Sequence, residues 1–315
     1  MTLMSLMLFG TAACGDNGGD KSSTASNVDM GSDISGLKVT GAAGSEPKVQ
    51  VTSPVSVDKP QTQVITAGNG NPVQAGQEAL LNIYLANGKN GKKAAATWDN
   101  GAPVDVKMDE SQLFKPVIDA LVGKPQGSRV AIAAPVKSIY GPQGASQIGL
   151  KATDSVVFVV DIVSVPPKDV LDGPDGDKVD VPANAPQVVE KDGNVTGFDW
   201  SKAAKNPPKK LQVIPLVQGS GPPARAQSLV TFDYFGEVYG ADKPFDESYT
   251  KQPVTFALGM SKLIQGWDKG LVGVKAGSRV MIIVPPDQGY GAQAQPNIPA
   301  NSTLVFVVDI LGVDD

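Results

Sequence analysis

Two stretches of this chain, 150 residues apart, are copies of one another. SQLFKPVIDALVGKPQGSRV (111–130) and SKLIQGWDKGLVGVKAGSRV (261–280) share nine of twenty residues, and VFVVDI occurs at 157–162 and again, unchanged, at 305–310. A period this long is a domain duplicated, and 315 residues accommodate two such domains. Each copy runs through the same order: a strand carrying a tyrosine (Leu80–Tyr84, then Leu229–Tyr234), an amphipathic helix, a strand after GSRV, a Tyr-Gly loop and a final strand. The pattern predicts an α+β unit repeated in tandem. In the second copy Leu263, Ile264, Trp267 and Leu271 fall on one face of a helix of about ten residues, and RVMIIVP (279–285) and TLVFVVDILGV (303–313) read as strands.

The chain contains no histidine and one cysteine, Cys14. That excludes Ser-His, Cys-His and histidine-ligated metal mechanisms, each of which needs an imidazole. It also excludes a disulfide within the chain. The net charge of -5, with no basic stripe, gives no electrostatic footprint for nucleic acid. Nothing in the composition implies a metal or organic cofactor.

Residues 3–13, LMSLMLFGTAA, form an apolar run that ends at Cys14 and is followed by a polar stretch, GDNGGDKSSTASN. Eleven residues are too few to span a bilayer, which takes about 20, but suit the apolar segment of an export signal. Ala12 and Ala13 before Cys14 resemble a bacterial lipoprotein box, in which the cysteine is acylated. The alternative is a buried apolar strand with an inert cysteine. The expected organisation is a lipoprotein signal and lipidated Cys14 (1–14), a flexible tether (15–32), a first domain (33–166), an acidic proline-rich linker (167–184) and a second domain (185–315). Around the linker, Pro166–Gly193 holds five prolines and seven acids against three lysines, so it should stand extended between the domains. DGPDGD (172–177) is read as part of this linker and not as a calcium loop, because no bidentate glutamate follows at the required spacing.

LVTFDYFG (229–236), KPFDES (243–248), PVTFALG (253–259), KLIQGWDKGL (262–271), GSRVMIIVPPDQGYG (277–291) and NIPANSTLVFVVDIL (297–311) follow in order the motifs of FKBP-type peptidyl-prolyl cis-trans isomerases, which the chain resembles from 208 to 313. The resemblance implies a twisted antiparallel sheet wrapped around one short helix, twice in tandem. It also implies a pocket at their junction, floored by Trp267 and formed with Tyr234, Phe245, Asp246 and Tyr290 as the residues that act on the amide. Val254, Phe256, Leu263, Ile264, Ile298 and Phe306 would contact substrate. Val254 stands where many members have an aromatic, and Gln295 where many have histidine.

Carried onto the first copy, the resemblance gives Tyr84, Asp99, Leu113, Phe114, Tyr140 and Phe158, with Val117 in place of Trp267, Trp98 in place of Phe245 and Pro116 inside the helix in place of Gly266. The first domain is therefore expected to be degenerate, binding chains or spacing the second from a membrane. The implied function is isomerisation of Xaa-Pro bonds in exported proteins by a lipid-anchored, extracytoplasmic protein. Its partners would be proline-containing polypeptides and macrolides such as tacrolimus. The competing expectation is a non-catalytic chaperone or binding module that grips proline-rich or unfolded segments in both pockets.

Overall fold

The computed structural model describes residues 34–314, so Cys14, the signal at 1–14 and the tether at 15–32 lie outside the described residues. The chain divides into two compact units, with the boundary between Val165 and Pro166. Each is α+β, as expected, with a short helix packed on an antiparallel sheet.

In the first unit the sheet order is Gln61–Thr66, Arg129–Pro135, Ser155–Ser164, Glu78–Asn87, Lys93–Ala96, and Val104–Lys107 also pairs with Glu78–Asn87. The second unit repeats this order with Gln212–Gly219, Arg279–Val284, Leu304–Val313, Leu229–Val238, Pro244–Glu247, and Val254–Ala257 again off the path. The central strand Leu304–Val313 is buried at all ten positions. Alternating side chains send Phe306, Val308 and Ile310 toward the helix with Trp267, and Val305 and Val307 to the other face with Phe235, Met281 and Ile283. A strand buried on both faces reads as a continuous apolar run, and VFVVDI is such a run.

What covers the second face is a hairpin that the sequence reading did not contain. Leu37–Thr40 pairs with Lys48–Val51 in the first unit, and Gln187–Lys191 with Asn194–Asp199 in the second. The repeated GSRV and VVDI segments supply a buried arginine and aspartate that tie each hairpin down. Arg129 forks onto Asp161 at 2.6 and 2.7 Å and donates onward to the Gly41 carbonyl. Arg279 forks onto Asp309, with Nη2–Oδ2 at 2.6 Å, and donates onward to Glu190 and to the Gly193 carbonyl at 3.0 Å. A bidentate guanidinium–carboxylate pair with its remaining donors satisfied is the arrangement in which a buried charge is tolerated.

Three expectations are corrected here. The acidic segment at 167–184 does not stand free: Gly176–Lys178 pairs with Gln212–Gly219 as the sheet's edge strand, and the backbone N–H groups of Leu171, Asp175 and Val179 donate to Leu311, Gly277 and Leu216. An edge strand offers unpaired backbone groups, and a short, charged partner satisfies them without templating further strands. The second helix is also shorter than its periodicity suggests. It spans Gln265–Gly270, with Ile264 extended before it (φ -62°, ψ 149°) and Leu271 after it, because three glycines in nine residues (Gly266, Gly270, Gly273) sustain little more than one turn. Pro116 sits in the first turn of Lys115–Leu121, where its missing N–H costs no hydrogen bond. It therefore opens the first unit's helix instead of bending it.

Candidate functional site

Between helix and sheet of the second unit lies a cavity of about 400 Å³. Its floor is Trp267, 4% exposed, which meets Phe232, Tyr234 and Phe306 edge-on at ring-centroid distances of 5.0, 5.6 and 5.1 Å. Edge-on contacts on three sides, at interplanar angles of 62°, 83° and 88°, fix the indole plane. Phe245 packs on Phe306 at 5.5 Å, Phe256 stacks on Phe232 at 6.0 Å, and Leu263, Ile264, Lys262 and Tyr290 complete the lining.

One polar pair crosses this apolar wall. The Tyr234 hydroxyl donates to Asp246 Oδ2, while Asp246 Oδ1 accepts the Glu247 N–H at 2.9 Å and Lys251 Nζ at 3.2 Å. Partial burial works against ionisation of Asp246, but the tyrosine hydroxyl, the lysine and the backbone N–H outweigh it and hold the carboxyl below its ordinary range. Burial, then the neighbouring carboxylate, pushes the Tyr234 and Tyr290 phenols up, so both remain protonated donors. The Tyr290 hydroxyl and the Ile264 backbone N–H have no hydrogen-bond partner among the described residues. They are donors available to a guest.

Nine of the eleven residues expected at the pocket line the cavity. The two others do not: Ile298 is buried in the core, and Val254 pairs across from Phe232 and packs on that core. Phe232 and Lys262 were missed. Phe232 had a signal, since it lies two residues before Tyr234 on the same strand and so on the same face; Lys262 had none.

The first unit departs further from its expectation. Tyr234 pairs with Val308, and the residue paired with the equivalent Val160 is Ile83, not Tyr84. Tyr84 is one residue along and therefore belongs to the opposite, hairpin-side core. Asp246 pairs with Gly236 and its positional counterpart is Ala95, paired with Leu85. Asp99 instead lies in an exposed turn, ion-paired with Lys93 at 2.6 Å. Ser248 and Thr97 confirm this register: each accepts a strand N–H (Tyr234 at 2.9 Å, Ile83 at 3.1 Å) and donates to the preceding residue, Asp233 or Asn82. Trp98 accordingly matches Tyr249, and Ala94 matches Phe245. On the wall, Phe114, the counterpart of Ile264, packs its ring against Tyr140 at 5.3 Å and Phe158 at 6.3 Å.

The two units thus trade volume across the same strand pair. A Cβ on Gly236 would lie 2.8 Å from the Phe245 ring and 2.9 Å from Phe306, and where the second unit has Gly236 with Phe245, the first has Leu85 with Ala94. Gly236→Leu is therefore expected to lower stability by about 1–3 kcal/mol, the range for overpacking. Adding Phe245→Ala should recover most of it. Denaturant titration of the three variants measures the coupling, and additive losses would show that the swap is not compensatory.

The described geometry can be set beside known proteins. A family model described as FKBP-type peptidyl-prolyl cis-trans isomerase matches residues 70–163 and 221–311. FK506-binding protein 4 of Mycosarcoma maydis is 39% identical over 106 residues, 34% of this chain and 28% of that protein. A peptidyl-prolyl cis-trans isomerase of Saccharomyces cerevisiae is 39% identical over 95 residues, 30% of this chain and 23% of that protein. The chain thus spans less than a third of the length of either relative. Among solved structures, FkpA from Escherichia coli is 36% identical with a TM-score of 0.31, over 33% of this chain and 48% of that one.

Proposed function

The chain belongs to the FKBP-type peptidyl-prolyl cis-trans isomerase family, whose model matches more than half of it, and from that premise we propose that its second unit rotates Xaa-Pro bonds in polypeptide clients. The observation that carries this reading is the Trp267-floored cavity with its Tyr234–Asp246 pair, residues that the first unit replaces by Val117, Ile83 and Ala95. Rotation of the amide is opposed by a barrier of about 18–20 kcal/mol because the planar form is resonance-stabilised. The twisted amide loses conjugation and carbonyl polarity, and so loses less on leaving water. A dry aromatic cavity that seats the proline ring favours it over the planar ground state. Tyr290 and the Ile264 N–H donate to the substrate carbonyls, and Asp246 holds the Tyr234 hydroxyl in place. A hundred-thousandfold acceleration requires about 7 kcal/mol. No nucleophile or proton exchange is involved.

The protonation pattern supports a flat pH profile. A carboxyl held below its ordinary value keeps its contribution above the unfolded-chain pKa and loses it as pH falls through the folded one, so the Tyr234–Asp246 pair persists down to below about pH 4. The raised tyrosines keep their protons past about pH 10. With no histidine in the chain, kcat/KM of the full-length protein on a Leu-Pro peptide should be constant between about pH 5 and 9. A bell centred near neutrality would contradict the assigned groups.

The first unit, in this reading, is a non-catalytic spacer: Ile83, Ala94, Ala95 and Val117 stand where the second unit has Tyr234, Phe245, Asp246 and Trp267. These replacements weigh against a protein gripping clients at two equivalent sites. Relatives named for binding FK506 support macrolides such as tacrolimus as competitors for the second cavity. The apolar run and Ala-Ala-Cys at 12–14 support export and acylation at Cys14, facing clients outside the cytoplasm. Cys14→Ser should move the protein from the detergent phase to the aqueous phase of a bacterial extract, and unchanged partition would refute the anchor.

A further inference from the structure

Lys262, Leu263 and Ile264 form one wall of the cavity, yet they belong to neither strand nor helix. They follow Gly259 and Ser261, both left-handed at φ +70° and +56°. That conformation is uphill for serine, and a helix of six residues has little intrinsic rigidity with which to hold the segment. The segment's end at Ile264 is held by the helix, the carbonyl accepting the Trp267 N–H at 2.9 Å, and its start is held by Asp268, the residue after the floor tryptophan. Its carboxylate reaches back over the turn and accepts the Gly259 N–H at 2.8 Å on Oδ1 and the Ser261 N–H at 3.0 Å on Oδ2. Floor and wall are therefore joined by one side chain.

The first unit lacks this link. The repeat places buried Ile118 where Asp268 stands. The corresponding turn is tied within itself, Asp109 accepting the Ser111 N–H at 2.9 Å. In that unit the wall residue Phe114 packs its ring against Tyr140 and Phe158. The helix-to-wall clamp occurs in the unit that holds the Trp267-floored cavity.

We propose that Asp268 is a positioning residue that keeps the Lys262–Ile264 wall standing away from Trp267, and so keeps the cavity in the form that admits a proline ring. The proposal rests on the second unit being the isomerase site. Without the clamp the wall samples other arrangements, and only the fraction of molecules with the wall upright takes substrate. Such a loss raises KM and leaves the turnover of bound substrate alone. A plain structural staple behaves otherwise: its loss lowers the amount of folded enzyme, so apparent kcat falls at unchanged KM.

The test is cis-trans exchange kinetics of the full-length chain and its Asp268→Asn, Asp268→Ala and Asp268→Glu variants, together with amide exchange of Gly259 and Ser261. Asparagine keeps one acceptor oxygen and glutamate keeps both on a longer arm. The expected result is a KM raised about tenfold in the asparagine and alanine variants with kcat within about twofold, and a glutamate variant within about threefold of wild type. Amide exchange at Gly259 and Ser261 should speed up wherever KM rises. A fall in kcat at constant KM, unchanged kinetics, or a glutamate variant as impaired as alanine overturns the proposal. If Asp268→Ala does not fold, the glutamate and asparagine variants decide. An inactive wild-type chain refutes the isomerase reading instead, and the clamp is then judged by amide exchange alone, where unchanged protection in Asp268→Ala overturns it.

Discussion

Replacing Trp267 by leucine in the full-length chain should lower kcat/KM on a Leu-Pro peptide by about a hundredfold, equivalent to about 2.7 kcal/mol of transition-state stabilisation. The indole is the surface on which the proline ring would rest, and three edge-on rings orient it. Leucine is the informative choice because the site is 4% exposed. Truncation to alanine would leave a cavity costing about 3–5 kcal/mol, a large share of the 5–15 kcal/mol that holds a domain together. A smaller void leaves the unit folded, so circular dichroism and thermal unfolding separate lost chemistry from lost structure. Full activity in a folded Trp267→Leu protein would remove the floor from the mechanism. No detectable activity in the wild-type chain, with tacrolimus or proline peptides still bound, would favour the binding-module reading.

Replacing Arg279 by leucine should destabilise the second unit by about 3–5 kcal/mol. The substitution leaves Asp309, 1% exposed, as an uncompensated buried carboxylate. It also releases Glu190 and the Gly193 carbonyl, and with them the hairpin that covers the outer core. For a unit of this size such a loss lowers Tm by roughly 10 °C or more. Arg129→Leu should do the same to the first unit, where Asp161 is equally buried. Tryptophan fluorescence tells the two apart, because Trp98 reports on the first unit and Trp200 and Trp267 on the second. A shift below about 2 °C in either variant would mean that the pair satisfies its own desolvation and no more.

The sequence by itself determined what depends on neighbouring residues and on order. The duplication, the α+β character, the strands after GSRV and through VFVVDI, and nine residues of the cavity were legible because alternation and motif order are local properties of the chain. Tertiary structure decided what depends on pairing across strands. Motif order and strand register give different correspondences between the units: an offset of 147 aligns Asp99 with Asp246, whereas register aligns Ala95 with it at 151, the offset that also relates Ile83 to Tyr234. In a strand a slip of one residue moves a side chain to the other face, which is why Tyr84 lies with the hairpin-side core and Ile83 takes the place of Tyr234. The hairpins and the edge strand at Gly176–Lys178 were equally out of reach. The strands LKVT and KVQV alternate but are only four residues each, GDK has no apolar residue, and all are fixed by a buried arginine and an open sheet edge contributed from distant parts of the chain. The volumes traded across the strand pair, Gly236 with Phe245 against Leu85 with Ala94, were also hidden, because close packing is a property of the assembled core alone.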